Sequence, residues 1–235
     1  GGMAAAPAPN FKDAVRHLIP EIFKVVKETE IMLLRNRIFL DRMQGVGVLT
    51  KEQALSYGCT GPVARSTGIP YDVRKDHPYL VYDRFDFDVP IGEDGDNWDR
   101  FMVRLEEIRQ SIRIIEQALE QMPDDGPVNV DDPRIVYPDK KDVYTTIEAT
   151  IAHFKLVMEG LRVPEGEVYS FTEGGNGELG FHIVSDGSGT PYRVRVRPPC
   201  WYNLAASREM LLGGMIADII PTFGSVNMIG GECDR

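Results

Sequence analysis

Three cysteines are the first residues in this sequence whose chemistry could matter, and their spacing argues against a metal site. Cys59, Cys200 and Cys233 are widely separated, and no C-x2-C pair occurs. Because tetrahedral zinc sites usually draw their thiolates from such pairs, no zinc site is predicted. The odd count and the wide spacing also disfavour a disulfide framework and favour a reducing compartment.

The histidines and acidic residues likewise predict no metal centre. The histidines at positions 17, 77, 153 and 182 form neither an HxxxH nor an HExxH pattern. His153 lies beside the apolar face of its helix and is predicted to be partly buried with its hydrogen bonds satisfied. One acidic run lacks the EF-hand spacing and is predicted to be a solvated loop: Asp83, Asp86, Asp88, Glu93, Asp94 and Asp96.

Glycine-rich and basic segments do not form a nucleotide site. The glycines within 174–177 and 187–189 do not follow a Rossmann strand, and no Walker A motif occurs, so NADH binding by this chain is not expected. The alternating Arg193, Arg195 and Arg197 indicate either an anion site or a basic strand face, solvated or covered by an acidic partner. The other face of that strand is predicted to be buried: Tyr192, Val194 and Val196. The net charge of −10 disfavours binding to nucleic acid and anionic lipid.

The elements that would position these residues are mainly helical. Helices are predicted over about 11–43, where Pro20 should kink or split the helix, after the N-cap Thr50, over 97–122 and over 142–161. Residues 58–96 are predicted to be one long ordered loop, and short helices to start near Asn203 and to cover 215–220. The apolar residues of the 142–161 helix should face inward: Ile147, Ile151, Phe154, Met158 and Leu161.

Three strands with period-two alternation complete the predicted fold, over 167–172, 178–185 and 191–197. The fold class is therefore α+β, mainly α, in one domain that covers residues 1–235. Its parts are a helical region (11–161), a small antiparallel sheet (166–198) and a terminal segment (199–235). The chain has no run of about 18 apolar residues, so no membrane span is predicted, and its start lacks the features of a signal peptide.

Four long blocks of this sequence resemble one known family. They are GVGVLTKEQALSYGCTGPVARSTGIPYDVRKDHPYLVYDRFDFDVPIGEDGD, DRFMVRLEEIRQSIRIIEQALEQMPDDGPV, GEVYSFTEGGNGELGFHIVSDGSGTPYRVRVRPP and ADIIPTFGSVNMIGGECDR. The sequences of these blocks and their order, from Gly45 to Arg235, resemble those of the 49 kDa-type (D-type) subunit of respiratory complex I, the NADH:quinone oxidoreductase. That resemblance implies a helical bundle like the large subunit of [NiFe] hydrogenases. Because the chain start resembles the middle of the full-length subunit, we expect a fragment or a separately encoded half.

The resemblance also bears on the hydrogenase alternative. Hydrogenases hold nickel and iron with C-x2-C pairs, and alignment of the chain's tail puts the C-terminal pair at Ile229 and Glu232. Neither residue is cysteine, and Cys233 lies one position away. A metal that needs four thiolates is therefore not expected here, which favours the complex I interpretation over a genuine hydrogenase.

By match to the family, the former metal cavity resembles a quinone headgroup chamber, for which no catalytic residue of this chain is predicted. The residues expected to face or support this chamber are Asn227, Met228, Ile229 and Gly230. Asn227 stands where the family usually has Asp, and Gly230 where it often has Phe. Ser225, Glu232 and Asp234 are expected to be structural supports. In the block of Gly61, Pro62, Arg65 and Gly68, Arg65 either organises the cavity loops or is a structural arginine paired with a carboxylate such as Asp72.

The resemblance further implies partners and a place of action. Quinone would be the substrate, whereas NADH and the iron–sulfur clusters would be bound by partner subunits. The expected partners are the small subunit with the terminal [4Fe–4S] cluster, a 30 kDa-type subunit and the quinone-channel subunit of the membrane arm. The complex would be peripheral, on the cytoplasmic face of the bacterial inner membrane or the matrix side of the mitochondrial one, and would couple electron transfer to ion translocation. The family's headgroup His and Tyr precede this chain, so the isolated chain is expected to be inactive. The alternative is a non-catalytic scaffold subunit of another electron-transfer complex.

Overall fold

The computed structural model describes residues 2–3 and 5–234, which divide into two compact units. The first unit comprises Gly1–Lys12, Met122–Ser170 and Phe181–Arg195, and the second comprises Asp13–Gln121, Phe171–Gly180 and Val196–Arg235. No helix in the described part of the chain is both long and apolar enough to cross a membrane.

Twelve α-helices and one sheet of three strands make up the described chain, so the prediction of a mainly α, α+β fold is confirmed. The sheet order is β1-β2-β3, with β1 Gly166–Gly174, β2 Gly177–Ser185 and β3 Arg193–Arg197. Short 3-10 turns cover Tyr82–Arg84 and Ile216–Asp218. The helices are α1 Phe11–Leu33, α2 Arg37–Met43, α3 Lys51–Tyr57, α4 Gly61–Arg65, α5 Val73–Asp76, α6 Asn97–Gln121, α7 Lys140–Val143, α8 Ile147–Met158, α9 Pro199–Ala205, α10 Ser207–Leu211, α11 Ile219–Val226 and α12 Gly230–Cys233.

The first long helical segment divides at a different place from the one predicted. Helix α1 continues through Pro20, so the prediction of a split there is wrong. The division comes at Asn36, whose side chain accepts hydrogen bonds from the backbone N–H groups of Ile38 and Phe39 at 3.0 and 3.4 Å. This N-cap stabilises the start of α2 and fixes the division.

Helices also occupy part of the segment predicted to be a loop. Residues 58–96 contain α4 and α5, each too short to give a clear helical period, so the prediction of a long loop is wrong there. The prediction of Thr50 as an N-cap is confirmed, since its hydroxyl accepts from the Gln53 N–H and the Gln53 side chain accepts from the Thr50 N–H. In the terminal segment the first helix begins at Pro199, four residues before the predicted start, because proline is tolerated in a first helical turn.

Two apolar faces that were predicted to be buried are exposed. The predicted 142–161 helix is divided into α7 and α8 by Thr146, whose hydroxyl caps Ala149 N–H at 3.4 Å, and no residue of the fully described α8 is buried. The prediction that the apolar side chains of this helix face the core is therefore wrong. Each of them is exposed: Ile147, Ile151, Phe154, Met158 and Leu161. The predicted strand 191–197 corresponds to β3. Its apolar residues are also exposed, so the prediction that they are buried is wrong: Tyr192, Val194 and Val196. Periodicity identifies an apolar face, but burial needs a second layer to cover it.

The second unit contains a buried core between short helices. Its members come from α3, α4, α10 and α11 and from the segments between them, and they include Ala54, Val63, Met210 and Val226. Helix α6 lies against α2, α4 and α11. Three ionisable residues of α6 face this packed interior, at spacings of four and three residues: Arg100, Arg104 and Glu107. Charged groups in this interior have little contact with water, so the protein itself must supply their hydrogen-bond partners.

Candidate functional site

Arg100 is a fully buried cation held by neutral acceptors. Its Nε donates to Ser225 Oγ at 2.9 Å, and its Nη1 donates to the Gly95 carbonyl at 2.8 Å. Its Nη2 donates to the Gly47 carbonyl and to Asn97 Oδ1, at 2.5 and 2.7 Å. Burial lowers the pKa of Arg100 to about 10. The side chain thereby ties α6 to the segments before it and to α11.

Arg104 lies one turn further along α6 and retains one unsatisfied donor. Its Nη2 donates to the carbonyls of Ser225 and Val226 at 3.3 and 3.0 Å. Its buried Nε has no hydrogen-bond partner among the described residues. Burial also lowers the pKa of Arg104. A buried N–H without a partner is unfavourable, and this is unusual in a folded protein.

A cavity of about 470 Å³ opens beside Arg104 in the second unit. Its polar side chains include Arg42, which is paired with Asp218 at 3.1 Å, and Asn227 at the end of α11. Apolar side chains dominate its walls. All residues that line it are Phe39, Arg42, Met43, Phe101, Arg104, Pro221, Gly224, Ser225 and Asn227. An apolar cavity with a few converging polar groups is the usual form of a small-molecule site.

Asn227 ends α11 in the left-handed conformation, with φ of 56°. Asparagine tolerates this conformation better than most residues, which explains a polar side chain at this corner. Its Nδ2 donates to Asn176 Oδ1 at 3.0 Å, and Asn176 lies in the turn between β1 and β2. The β1–β2 turn and the end of α11 thus meet at one edge of the cavity.

Arg65 forms a second buried centre, next to the start of the same turn. Its Nε and Nη2 contact Glu107 Oε1 at 2.7 and 2.6 Å, and its Nη1 donates to Glu173 Oε1 at 2.9 Å. Asp72 lies 3.7 Å from Nη1. We call Arg65, Asp72, Glu107 and Glu173 the Arg65 cluster. It includes the predicted pairing with Asp72 but adds two carboxylates, Glu107 and Glu173, that were not predicted.

Gly61 allows α4 to begin against the β1–β2 turn. Its φ is +68°, and a Cβ at this position would lie 2.5 Å from the carbonyl oxygen of Asn176. Any side chain here would clash with backbone, so the glycine of the Gly61–Gly68 block is required by close approach. The approach holds Arg65, four residues later, at its place in the Arg65 cluster.

Comparison with known proteins assigns the family. The whole chain, residues 1–235, matches the family described as "Respiratory-chain NADH dehydrogenase, 49 Kd subunit". The chain belongs to this 49 kDa family. The resemblance seen in the sequence is therefore confirmed.

Relatives of this 49 kDa family member are named as D subunits of NADH-quinone oxidoreductases. The chain is 64% identical over 235 residues to the D subunit 1 of Sorangium cellulosum (strain So ce56), covering 100% of the chain and 58% of that protein. It is 54% identical over 231 residues to the D subunit of Myxococcus xanthus (strain DK1622), covering 95% and 55% of the two. The chain thus spans little more than half the length of these relatives.

The other residues predicted from the family do not line this cavity. Met228, Ile229 and Gly230 are all described, but they do not line the 470 Å³ cavity. The Ile229 side chain is 51% exposed, and its backbone N–H donates to Cys200 Sγ at 3.4 Å. Their role at a quinone site stays a prediction.

The expected supports of this family member differ in what they contact. Ser225 is buried between Arg100 and the Thr222 carbonyl, to which its hydroxyl donates at 2.7 Å. Glu232 accepts a hydrogen bond from the Cys200 N–H at 2.9 Å, which connects α12 to α9, whereas Asp234 is exposed.

The three cysteines of this 49 kDa family member are free and do not form disulfides. Burial raises the pKa of Cys59 to about 12 and that of Cys200 to about 11. Burial also raises the pKa of the partly exposed Cys233. Among the described residues there is no group of three His, Cys, Asp or Glu side chains placed to hold a metal ion.

The remaining candidates fall into structural roles or onto the surface. His153 is partly buried, as predicted, with its ring centroid 5.7 Å from that of Tyr137. Most of the acidic loop is exposed, but Asp96 is buried and accepts from the Gly45 N–H at 2.7 Å, so its predicted solvation is wrong. Among the three strand arginines Arg193 and Arg195 are exposed, whereas Arg197 donates to the Glu178 and Gly58 carbonyls at 2.7 and 2.8 Å. These bonds occupy Arg197, so the three do not form one anion site.

Arg104 and Glu173 are site residues that were not predicted from the sequence. The helical spacing of Arg100, Arg104 and Glu107 was a usable signal, because it places three ionisable groups on one face of α6 beside apolar positions. A set of charged residues on a face that must pack indicates a polar centre inside the fold. For Glu173 no comparable local signal exists.

Proposed function

We propose that this chain forms part of the quinone-reduction chamber of an NADH:quinone oxidoreductase, next to the terminal [4Fe–4S] cluster of a neighbouring small subunit. Family membership and the relatives named as D subunits of NADH-quinone oxidoreductases support this function. The observation that carries it is the 470 Å³ cavity lined by Arg104 and Asn227.

The chemistry of this cavity suits a quinone headgroup. A quinone has a flat apolar ring with carbonyl acceptors at opposite edges, and the cavity offers apolar walls with amide and guanidinium side chains. Negative charge develops on the carbonyl oxygens as electrons arrive. The guanidinium of Arg104, which lines the cavity, would stabilise that charge.

The other residues predicted from the family would complete the chamber. Met228, Ile229 and Gly230 would extend its wall beyond Asn227 towards the neighbouring subunit, which would explain why Ile229 is exposed in the chain alone. Glu232 would support this wall by holding α12 against α9. Asp234 would support it by contacting a neighbouring subunit in the assembled complex. Arg65 would fix the β1–β2 turn through Glu173.

Electrons would reach the quinone from outside this chain. Partner subunits would bind NADH and the iron–sulfur clusters, and this chain would position the quinone within tunnelling distance of the terminal cluster. The 30 kDa-type subunit and the membrane-arm quinone-channel subunit would complete the site and couple electron transfer to ion translocation. The complex would lie peripherally on the cytoplasmic face of the bacterial inner membrane or the matrix side of the mitochondrial one. The isolated chain would be inactive.

The test is a pull-down of the tagged chain from native membranes, with NADH oxidation by the eluate measured with and without a quinone-site inhibitor. Inhibitor-sensitive NADH oxidation in the eluate is the expected result. In the same complex, Ile229→Phe should change inhibitor affinity, whereas the same change at the exposed Ile216 should not. Normal assembly with unchanged inhibitor affinity for Ile229→Phe would remove Ile229 from the chamber. A complex without quinone-dependent activity would instead indicate a scaffold subunit.

A further inference from the structure

The Arg65 cluster contains more negative than positive charge in a buried position. The Arg65 and Asp72 side chains are almost wholly buried, and the Glu173 side chain is 4% exposed. Arg74 adds a second cation, with its Nη2 at 2.6 Å from Asp72 Oδ2. Two guanidinium groups thus form ion pairs with three carboxylates, which leaves one excess negative charge among these five groups if all are ionised. Arg104 is a further cation, within electrostatic range of Glu107 and Arg65. An uncompensated buried charge costs several kcal/mol, roughly, and is commonly removed by binding a proton.

The three carboxylates differ in how well they are compensated. Asp72 accepts from the backbone N–H, Nε and Nη2 of Arg74, at 2.9, 2.9 and 2.6 Å. Glu107 receives two donors of Arg65 and is 18% exposed, so water also reaches it. Glu173 accepts one bond from Arg65 and a longer bond, 3.2 Å, from the Val73 N–H. Glu173 is the less exposed of the two glutamates and has the weaker set of donors.

We propose that the Arg65 cluster is a proton-binding site, in which Glu173 holds a proton as a neutral carboxylic acid under conditions where exposed glutamates are ionised. The charged and titratable groups around it are Arg65 on α4, Tyr71 before α5, Asp72, Arg74 and Asp76 at α5, and Arg104 and Glu107 on α6. Tyr79 also approaches, because its hydroxyl accepts from the Glu173 backbone N–H at 3.2 Å. Binding the proton makes the sum of charges over the two arginines and three carboxylates zero.

The electrostatics of Glu173 agree with this assignment. Burial raises the pKa of Glu173 above its ordinary value of 4.5, although Arg65 opposes the change. For Asp72, in contrast, the hydrogen bonds and charge of Arg74 outweigh burial and lower the pKa. The pKa values of the two carboxyl groups are therefore displaced in opposite directions, upward for Glu173 and downward for Asp72. Such separation of neighbouring groups is typical of functional proton sites.

The proton site lies close to the cavity described above. Glu107 accepts from Arg65 and stands three residues after Arg104 on α6, on the same face of the helix. The charges of Glu107 and Arg65 both act on the pKa of Arg104. A change of one charge at Glu173 would thus alter the field at the cavity. The proton-binding site itself does not depend on the proposed quinone function.

Infrared spectroscopy of the full chain with 13C-labelled glutamate carboxyl groups tests this proposal. A carboxylic-acid C=O band should persist as the pH rises past the point where exposed glutamates ionise. It should be lost in Glu173→Gln, and retained in Glu93→Gln, which removes an exposed carboxylate. Glu107→Gln balances the charges of the cluster, so the band should then disappear at a lower pH than in the wild-type chain.

The free energy of unfolding gives a second measurement with a definite sign. A raised pKa in the folded state means that the folded chain holds a proton that the unfolded chain releases, so this stabilisation is lost as pH rises above 4.5 through the folded value. The wild type should therefore lose stability relative to Glu173→Gln over this range. A wild-type chain without the acid band, or with stability parallel to that of Glu173→Gln, overturns the proposal. Neither result would depend on quinone activity.

Discussion

Arg100 Nε on α6 donates to Ser225 Oγ on α11 over 2.9 Å, although both side chains are buried and neither has a carboxylate partner in this bond. The remaining guanidinium donors end on the carbonyls of Gly95 and Gly47 and on the amide oxygen of Asn97. A single cation thus satisfies four acceptors from separate segments. Arg100 thus helps to hold α11, and with it Asn227, together with the bonds of Arg104 to the Ser225 and Val226 carbonyls.

Arg100→Met should therefore destabilise the chain strongly. It removes an expensive buried charge, but it leaves buried oxygens of several segments without donors, each of which costs about 1–3 kcal/mol. We expect a loss of about 3 kcal/mol or more in the free energy of unfolding, measured by urea denaturation. The control is Arg113→Met, because Arg113 pairs with Asp86 and Asp88 at the surface and such pairs contribute about 0–1 kcal/mol. Similar losses for both variants would contradict the assigned role of Arg100.

The parts of the fold that sequence could predict are those with local causes. The capping box of Thr50 and Gln53 needs only a few neighbouring residues, and the period of α6 is visible over 25 residues. The division at Asn36 is local as well, but Pro20 is the more obvious signal. Proline removes one hydrogen bond and can still be kept within a long helix when the other bonds suffice.

The buried charge network could not be predicted in the same way. Arg65 meets partners at positions 72, 107 and 173, and the distance along the chain to Glu173 is 108 residues. No period or motif connects such positions, since they meet only after α6 and the sheet have packed. At the cavity the family resemblance identified Asn227, whereas Arg104 required the structure.

Cys59 should make the folded chain sensitive to alkaline pH. Burial raises its pKa from 9.0 to about 12, so the folded chain retains a proton that the unfolded chain releases. The stabilisation is complete below pH 9.0 and is lost as pH rises towards 12. Over that range the wild type should lose about 1 kcal/mol per pH unit relative to Cys59→Ala. Urea denaturation at several pH values measures the difference, and parallel curves would show that the thiol titrates normally.

Leu80 is held in a strained conformation without compensating burial. Its φ is 53° and its side chain is 87% exposed, so this leucine has the left-handed conformation but little packing. Leu80→Asn should stabilise the chain by about 0.5–1 kcal/mol, because asparagine adopts this conformation at lower cost. Leu55→Asn is the control, since Leu55 is also exposed but lies inside α3, where asparagine lowers helix stability by about 0.5 kcal/mol. If the midpoint temperature of thermal unfolding shifts in the same direction for both variants, the backbone of Leu80 is not strained.

Arg104 should control quinone affinity if the cavity is part of the reduction chamber. In the assembled oxidoreductase, Arg104→Met should raise the KM for quinone by about tenfold to a hundredfold, because a hydrogen bond from a charged donor is worth about 1.5–3 kcal/mol. Arg104→Lys keeps the charge but loses the planar set of donors, so its KM should also rise, while its kcat should fall less than that of Arg104→Met.

The matched control for Arg104 lies on the same helix but outside the cavity. Arg109 pairs with Glu30 at 2.5 Å, so Arg109→Met removes an arginine from α6 without changing the cavity wall. Its quinone KM should stay at the wild-type value, with the amount of assembled complex measured for every variant. If Arg104→Met assembles less well but has a normal quinone KM, the role of Arg104 is structural, through its hydrogen bonds to the carbonyls of Ser225 and Val226. A raised KM at normal assembly would place the Arg104 side chain at the quinone site.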